Sequence, residues 1–154
     1  MTDQIARLHI TLEDIEPVIW RRVDVPVTAS LKMLHDIVQA AMGWEGYHLW
    51  HFEAGDRRYG IPDPMWPESG MTAAKNVKLA TLIDRGVREL VYTYDMGDDW
   101  RHTITVETVG PGEPDVRYPC FVAGERRWRA ALRREISPAR IMKATGKAAL
   151  RWMT

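Results

Sequence analysis

Alternation of apolar and polar positions opens the chain. Residues 5–12 place Ala6, Leu8, Ile10 and Leu12 on one side at the period of two that a half-buried strand requires. A second strand is predicted over residues 18–25 and ends at Pro26. Ile19, Val23 and Val25 share one of its faces with Arg21, while Val18, Trp20, Arg22 and Asp24 take the other. From Ser30 the period becomes helical. Leu31, Leu34, Ile37, Val38, Ala41 and Met42 recur on one side behind a serine suited to capping, and Gly43 supplies the stop.

The aromatic segment Tyr47-His-Leu-Trp-His-Phe-Glu-Ala54 breaks at Gly55-Asp56 before Arg57-Arg-Tyr59, which predicts two strands joined by a short turn. Residues 60–76, rich in proline and glycine, read as a long exposed loop. Val77, Leu79, Leu82 and Ile83 predict a short helix ending near Gly86. Leu90, Tyr92 and Tyr94 then give a strand whose partner carries Ile104, Val106 and Thr108, and residues 110–114 close the regular region. The expected fold class is α+β: a mostly antiparallel sheet of five to six strands packed with one main helix and one short helix. A basic helix is expected beyond it, because Trp128, Leu132 and Ile136 fall at helical spacing.

With 154 residues, 45% of them hydrophobic, the chain can bury one domain core. Its formal net charge of zero hides an asymmetry. Residues 1–125 carry 12 basic against 20 acidic side chains, and residues 126–154 carry 9 against 1. The expected organisation is therefore an acidic domain over 1–125 and a basic tail over 126–154. Cys120 is the single cysteine, so neither an internal disulfide nor repeated zinc-ligand spacing is available. No secretory leader pattern and no run of about 18 apolar residues occurs, which points to the cytoplasm and away from a membrane.

Candidate chemistry gathers at the turn between the last two predicted strands. Asp95, Asp98 and Asp99 crowd it with Gly97, and Trp100 and His102 follow, so a hard-cation or mixed oxygen and nitrogen metal site formed by Asp98, Asp99 and His102 is conceivable. The structural reading is favoured, since aspartate and glycine are the residues a tight turn needs. His48 and His51 lie three apart and face opposite sides of a strand. They join His102 in one site only if the two hairpins meet. Tyr59 completes the candidate surface. No nucleophile elbow, phosphate loop or zinc-protease signature appears, and no motif calls for a cofactor.

Several ordered motifs carry a family resemblance. Ile19-Trp-Arg-Arg22, Leu34-His-Asp-Ile-Val-Gln-Ala-Ala-Met-Gly-Trp44, His48-Leu49 with Phe52, Arg58-Tyr-Gly60 and Tyr94-Asp-Met-Gly-Asp-Asp-Trp-Arg-His102 resemble the family named for the third open reading frame of a hairy-root (Ri) plasmid, over roughly residues 4–125. The resemblance implies an α+β fold, a bacterial or archaeal source, and a setting on plasmids and near transposons. Some members are labelled TnpR or resolvase, but the serine set among arginines that a serine resolvase needs is absent from the first strand. Met96 replaces the family's usual phenylalanine. After Tyr118-Pro-Cys-Phe-Val-Ala-Gly-Glu125 the chain departs from the family and runs into Arg126-Arg-Trp-Arg. Codons able to encode Arg134 to Lys143 can, two nucleotides out of register, spell a family-like tail, so a frameshift is one expected origin of residues 126–154.

Three functions follow as expectations. The leading one is a non-enzymatic binding or accessory module of a mobile element, engaging a protein or nucleic-acid partner through the aromatic and acidic surface around the hairpins. Its rival is a metal-assisted hydrolase or nuclease built on Asp95, Asp98, Asp99 and a histidine. The third is nucleic-acid binding through the basic tail.

Overall fold

The computed structural model describes residues 4–15, 18–44, 46, 48–95, 97 and 99–125. The expected basic helix after Arg126 lies outside them, as do Met96 and Asp98.

The alternating segments near the N-terminus form β1 (Gln4–Leu12) and β2 (Ile19–Pro26), paired antiparallel with Leu8 opposite Val23. Helix α1 (Leu31–Met42) follows, with Ser30 Oγ accepting from Met33 N at 3.0 Å and Gly43 closing it at φ 74°. Next come β3 (Trp50–Ala54), β4 (Arg57–Gly60), β5 (Met71–Ala73), the short helix α2 (Leu79–Asp84), β6 (Glu89–Tyr94), β7 (Trp100–Pro111) and β8 (Cys120–Glu125). The strands make one sheet in the order β5-β4-β3-β6-β7-β1-β2-β8.

This corrects the expected α+β fold of five to six strands. Eight strands share one mixed sheet, and α1 is the only helix longer than two turns among the described residues. The added strands are β5 and β8. β5 lies inside the expected loop and runs parallel to β4, with Arg58 opposite Met71. β8 pairs with β2 beyond the glycine-proline stretch that was expected to end the regular structure. The expected continuation through Thr108 holds, since β7 runs to Pro111, but the strand bulges so that Leu8 faces Val106 while Arg7 faces Thr108.

One face of the sheet is apolar and covered by α1. Leu8, Ile10 and Leu12 meet Ile104, Val106, Phe52, Leu90 and the helix residues Leu31, Leu34 and Val38 in a single core. Each such fully buried aliphatic side chain contributes roughly 1.5–3 kcal/mol. Arg21 shares this face, where its Nε donates to Ala41 O at the C-terminal turn of α1 and its Nη1 to Trp20 O. A guanidinium there meets the negative end of the helix dipole. The opposite face is polar: Arg7 forks onto Asp24, Arg22 onto Glu107, and Arg22 and His9 both pack on the Trp20 ring.

Strand register gathers one end of the sheet. Leu12 lies opposite both Ile19 and His102, Tyr94 opposite both Trp50 and Trp100, and Trp20 opposite Glu125. The turn after β6, the segment before β3 and the C-terminal turn of α1 therefore converge there.

Candidate functional site

The hairpin turn at this end is built by backbone geometry. Asp95 and Asp99 adopt left-handed φ values of 59° and 54°, and Asp99 N donates to Asp95 O at 2.6 Å, closing a five-residue turn. Two aspartates thus carry left-handed backbone in this turn. Aspartate is among the few side chains that tolerate this region. Asp95 N also donates to Leu49 O at 2.8 Å, which fixes the turn against the segment before β3. His48 stands beside it: its Nε2 lies 3.6 Å from Asp95 Oδ2 and its backbone N donates to Tyr94 Oη at 3.3 Å. The meeting of two hairpins that a shared site required thus occurs for His48 and Asp95.

The remaining expected residues disperse. His51 points to the other face of the sheet and lies 2.8 Å from Glu53 Oε1. Tyr59 is buried opposite Phe52 in the core. Asp99 stays at the exposed turn, its Oδ2 accepting a long 3.4 Å bond from Arg101. Trp100 is partly buried, its ring tilted against Trp44. His102 is fully buried on the core side, where its Nδ1 donates to Tyr92 O at 3.2 Å. Asp99 and His102 therefore diverge. Among the described residues no three histidine, cysteine or carboxylate groups assemble to hold a metal.

The structure assembles a different set, centred on Tyr92 and reached from α1. His35 and Gln39 lie one helical turn apart, which puts both side chains above β6. Tyr92 Oη lies 2.6 Å from His35 Nδ1 and accepts from Gln39 Nε2 at 2.9 Å. Because the Tyr92 proton has no other described acceptor, it is donated to His35 Nδ1, leaving His35 Nε2 protonated. The His35 ring lies flat on Trp50, with centroids 3.9 Å apart. A row of rings continues from Tyr92 to His102, then to Trp44, which stacks on Tyr94. Trp44 N donates to Gln39 O at 2.8 Å, so the segment leaving α1 folds back over this row.

Electrostatically the row is neutral. Burial pushes His35 down to about 3, with Lys32 adding a smaller push, and burial brings His102 down to about 4 against the opposing hydrogen bonds to the Tyr92 and Trp100 backbone. Burial holds Tyr92 well above the ordinary tyrosine range. Among the described residues, Gln39 Oε1, Trp44 Nε1 and His102 Nε2 in this region are buried without a hydrogen-bond partner. Such atoms cost about 1–3 kcal/mol each. The arrangement suits neutral hydrogen bonding better than proton transfer, since effective acid or base groups titrate near the working pH.

Sequence reasoning missed His35, Gln39 and Trp44. Their signal is faint: a polar pair four apart on a helix whose neighbours are almost all buried.

Two relatives extend the picture. A Sinorhizobium fredii protein, "Uncharacterized protein y4hQ", is 40% identical over 111 residues, which cover 72% of this chain and 57% of that protein. The chain thus spans a little over half the length of that relative. The crystal structure of a protein of unknown function, MM3350 from Methanosarcina mazei Go1, superposes with a TM-score of 0.74 at 31% identity, covering 80% of this chain and 71% of that one. Neither description names a resolvase or a transposon. No helix among the described residues is long and apolar enough to cross a membrane. The model of the family described as plasmid pRiA4b ORF-3-like protein matches residues 4–130, and with that match the chain belongs to this plasmid open-reading-frame family.

Proposed function

We propose that the chain is a non-enzymatic binding or accessory module, carried by a mobile element, that holds a protein partner through the end of the sheet at β3 and β4. The observation that carries this reading is the exposure of Leu49 (70%), Ile61 (62%), Met65 (90%) and Trp66 (66%). Leu49 and Ile61 flank the open end of the β3–β4 hairpin, where His51 pairs with Gly60. The loop bearing Met65 and Trp66 is held by its own bonds: Asp63 Oδ1 accepts from Met65 N at 2.8 Å, Asp63 O from Trp66 N at 2.9 Å, and Trp66 O from Ser69 N at 3.2 Å. Large apolar side chains displayed on such a loop leave hydrophobic area uncovered, and patches of this kind mark interaction surfaces. Methionine and tryptophan are enriched at them.

The neutrality of His35, His102 and Tyr92 supports a binding role over acid–base chemistry. The plasmid family supports the mobile-element setting.

The test is capture of a partner by the wild-type chain and by Met65→Ser/Trp66→Ser. Retention by the first and loss by the second, with unchanged melting, supports the reading. Equal retention by both, or measurable turnover of a substrate by a chain that captures nothing, overturns it.

A further inference from the structure

The glycine-proline stretch after β7 and the residues that follow it fold over the start of β1 and leave two adjoining hollows. The smaller, of about 160 Å³, reaches Arg7 and Asp24. The larger, of about 280 Å³, is apolar on the side of Pro26, Pro114 and Val116. Ile5, Glu113 and Tyr118 line both. These walls are fixed: Tyr118 Oη accepts from Glu113 N at 3.0 Å, and Glu113 O accepts from Val116 N at 3.2 Å. Gly112 is wedged between Ile5 and Tyr118, where a Cβ would come within 2.9 Å of each. The hollows therefore stand ready-made, which lowers the cost of filling them.

Their charge is one-sided. Arg7 and Asp24 neutralise each other, since Arg7 Nε and Nη2 donate to the two oxygens of Asp24 at 2.9 Å. No ion pair among the described residues engages the Glu113 carboxylate. Arg117, the cation of this loop, lines neither hollow.

We propose that the two hollows bind a small alkylammonium ion, its ammonium donating to the Glu113 carboxylate and its carbon stem lying along Pro26, Pro114 and Val116. The ammonium supplies the positive charge that Glu113 lacks, and the Tyr118 ring on the shared wall attracts cations in its own right. An anion would meet the Glu113 charge, and the Arg7 guanidinium is already forked onto Asp24. A divalent metal ion would find one uncommitted carboxylate, far short of the oxygen shell such ions gather. The stem gains from leaving water for the apolar hollow, as ligands of mixed character do in such sites.

Titration of the full chain with pentylammonium, followed by ¹H–¹⁵N spectra, tests this beside pentanol, pentanoate and methylammonium. The expected result is saturable shifts of the Gly112, Glu113 and Tyr118 amides with a dissociation constant in the millimolar range. Pentanol and pentanoate are expected to bind about threefold or more weaker, and methylammonium, which lacks the stem, about fivefold or more weaker. Glu113→Gln, at an exposed position, should keep the melting temperature and weaken pentylammonium by about threefold or more. Nα-acetyl-lysine methylamide separates free amines from lysine side chains of a protein and is expected to bind no more tightly than pentylammonium. Absence of shifts at about 50 mM pentylammonium, equal affinity for pentanoate, an unchanged affinity in Glu113→Gln, or preference for the blocked lysine overturns the proposal. The site lies by β1 and β2, whereas Met65 and Trp66 precede β5 at the far edge of the sheet, so partner capture by that loop is read separately.

Discussion

Tyr92 on β6 and His35 on α1, 57 residues apart, meet at 2.6 Å between Oη and Nδ1, and Gln39 donates to the same hydroxyl. This contact ties the helix to the middle of the sheet by a polar bond inside an apolar core. Tyr92→Phe would leave His35 Nδ1 and Gln39 Nε2 buried without partners. Urea unfolding is expected to show a loss of about 1–3 kcal/mol. A loss under about 0.5 kcal/mol would mean that the bond is not made in solution.

Acid should weaken the fold in a defined window. His35 and His102 have native values near 3 and 4, against 6.5 for the unfolded chain. Between those limits the unfolded state binds more protons, so stability is complete above about pH 6.5 and falls as pH drops toward 4. Each histidine contributes at most about 1.4 kcal/mol per pH unit. Glu107, held below 4.5 by its hydrogen bond to Arg22, acts only at lower pH. Unfolding free energies at pH 7, 6 and 5 should decline together with imidazole resonances that remain neutral. A flat profile would refute the assignment.

Asp99 offers a direct separation of backbone from carboxylate. Its φ of 54° favours glycine over alanine. Asp99→Gly should be neutral or stabilising by up to about 1 kcal/mol, and Asp99→Ala destabilising by about 1 kcal/mol. Equal effects of both in thermal melts would shift the role to the carboxylate.

Gly124 lies against Arg21. A Cβ there would approach Arg21 Cδ at 2.9 Å and the Trp20 carbonyl oxygen at 3.0 Å. Gly124→Ala should force β8 away from β2 at a cost of about 1–3 kcal/mol. Gly55→Ala, with open space around it but a φ of 62°, should lose about 1 kcal/mol through conformation alone. Denaturant midpoints should rank the two variants in that order.

Periodicity made β1, β2, α1 and the β6–β7 hairpin legible, because each sets apolar residues on one face at the period of its element. β5 is three residues long, too short to alternate. β8 has an edge position and Gly124, neither of which writes a pattern of two. The aspartates of the turn were visible, but a sequence shows a carboxylate without showing which φ its backbone must take. The Tyr92 set was hidden for another reason: His35 and Gln39 become neighbours of Tyr92 only after the helix lies across the sheet, and nothing local records that crossing.

The place of β1 bears on how the protein is made. It precedes the other described strands in the chain, yet it lies between β2 and β7 with Gln4 opposite Pro111. A nascent chain can close the β1–β2 hairpin early, but the other edge of β1 stays open until nearly the whole domain has been translated. Long-range pairing of this kind slows folding. The exposed rim of that first hairpin is where a chaperone would find the unfinished chain.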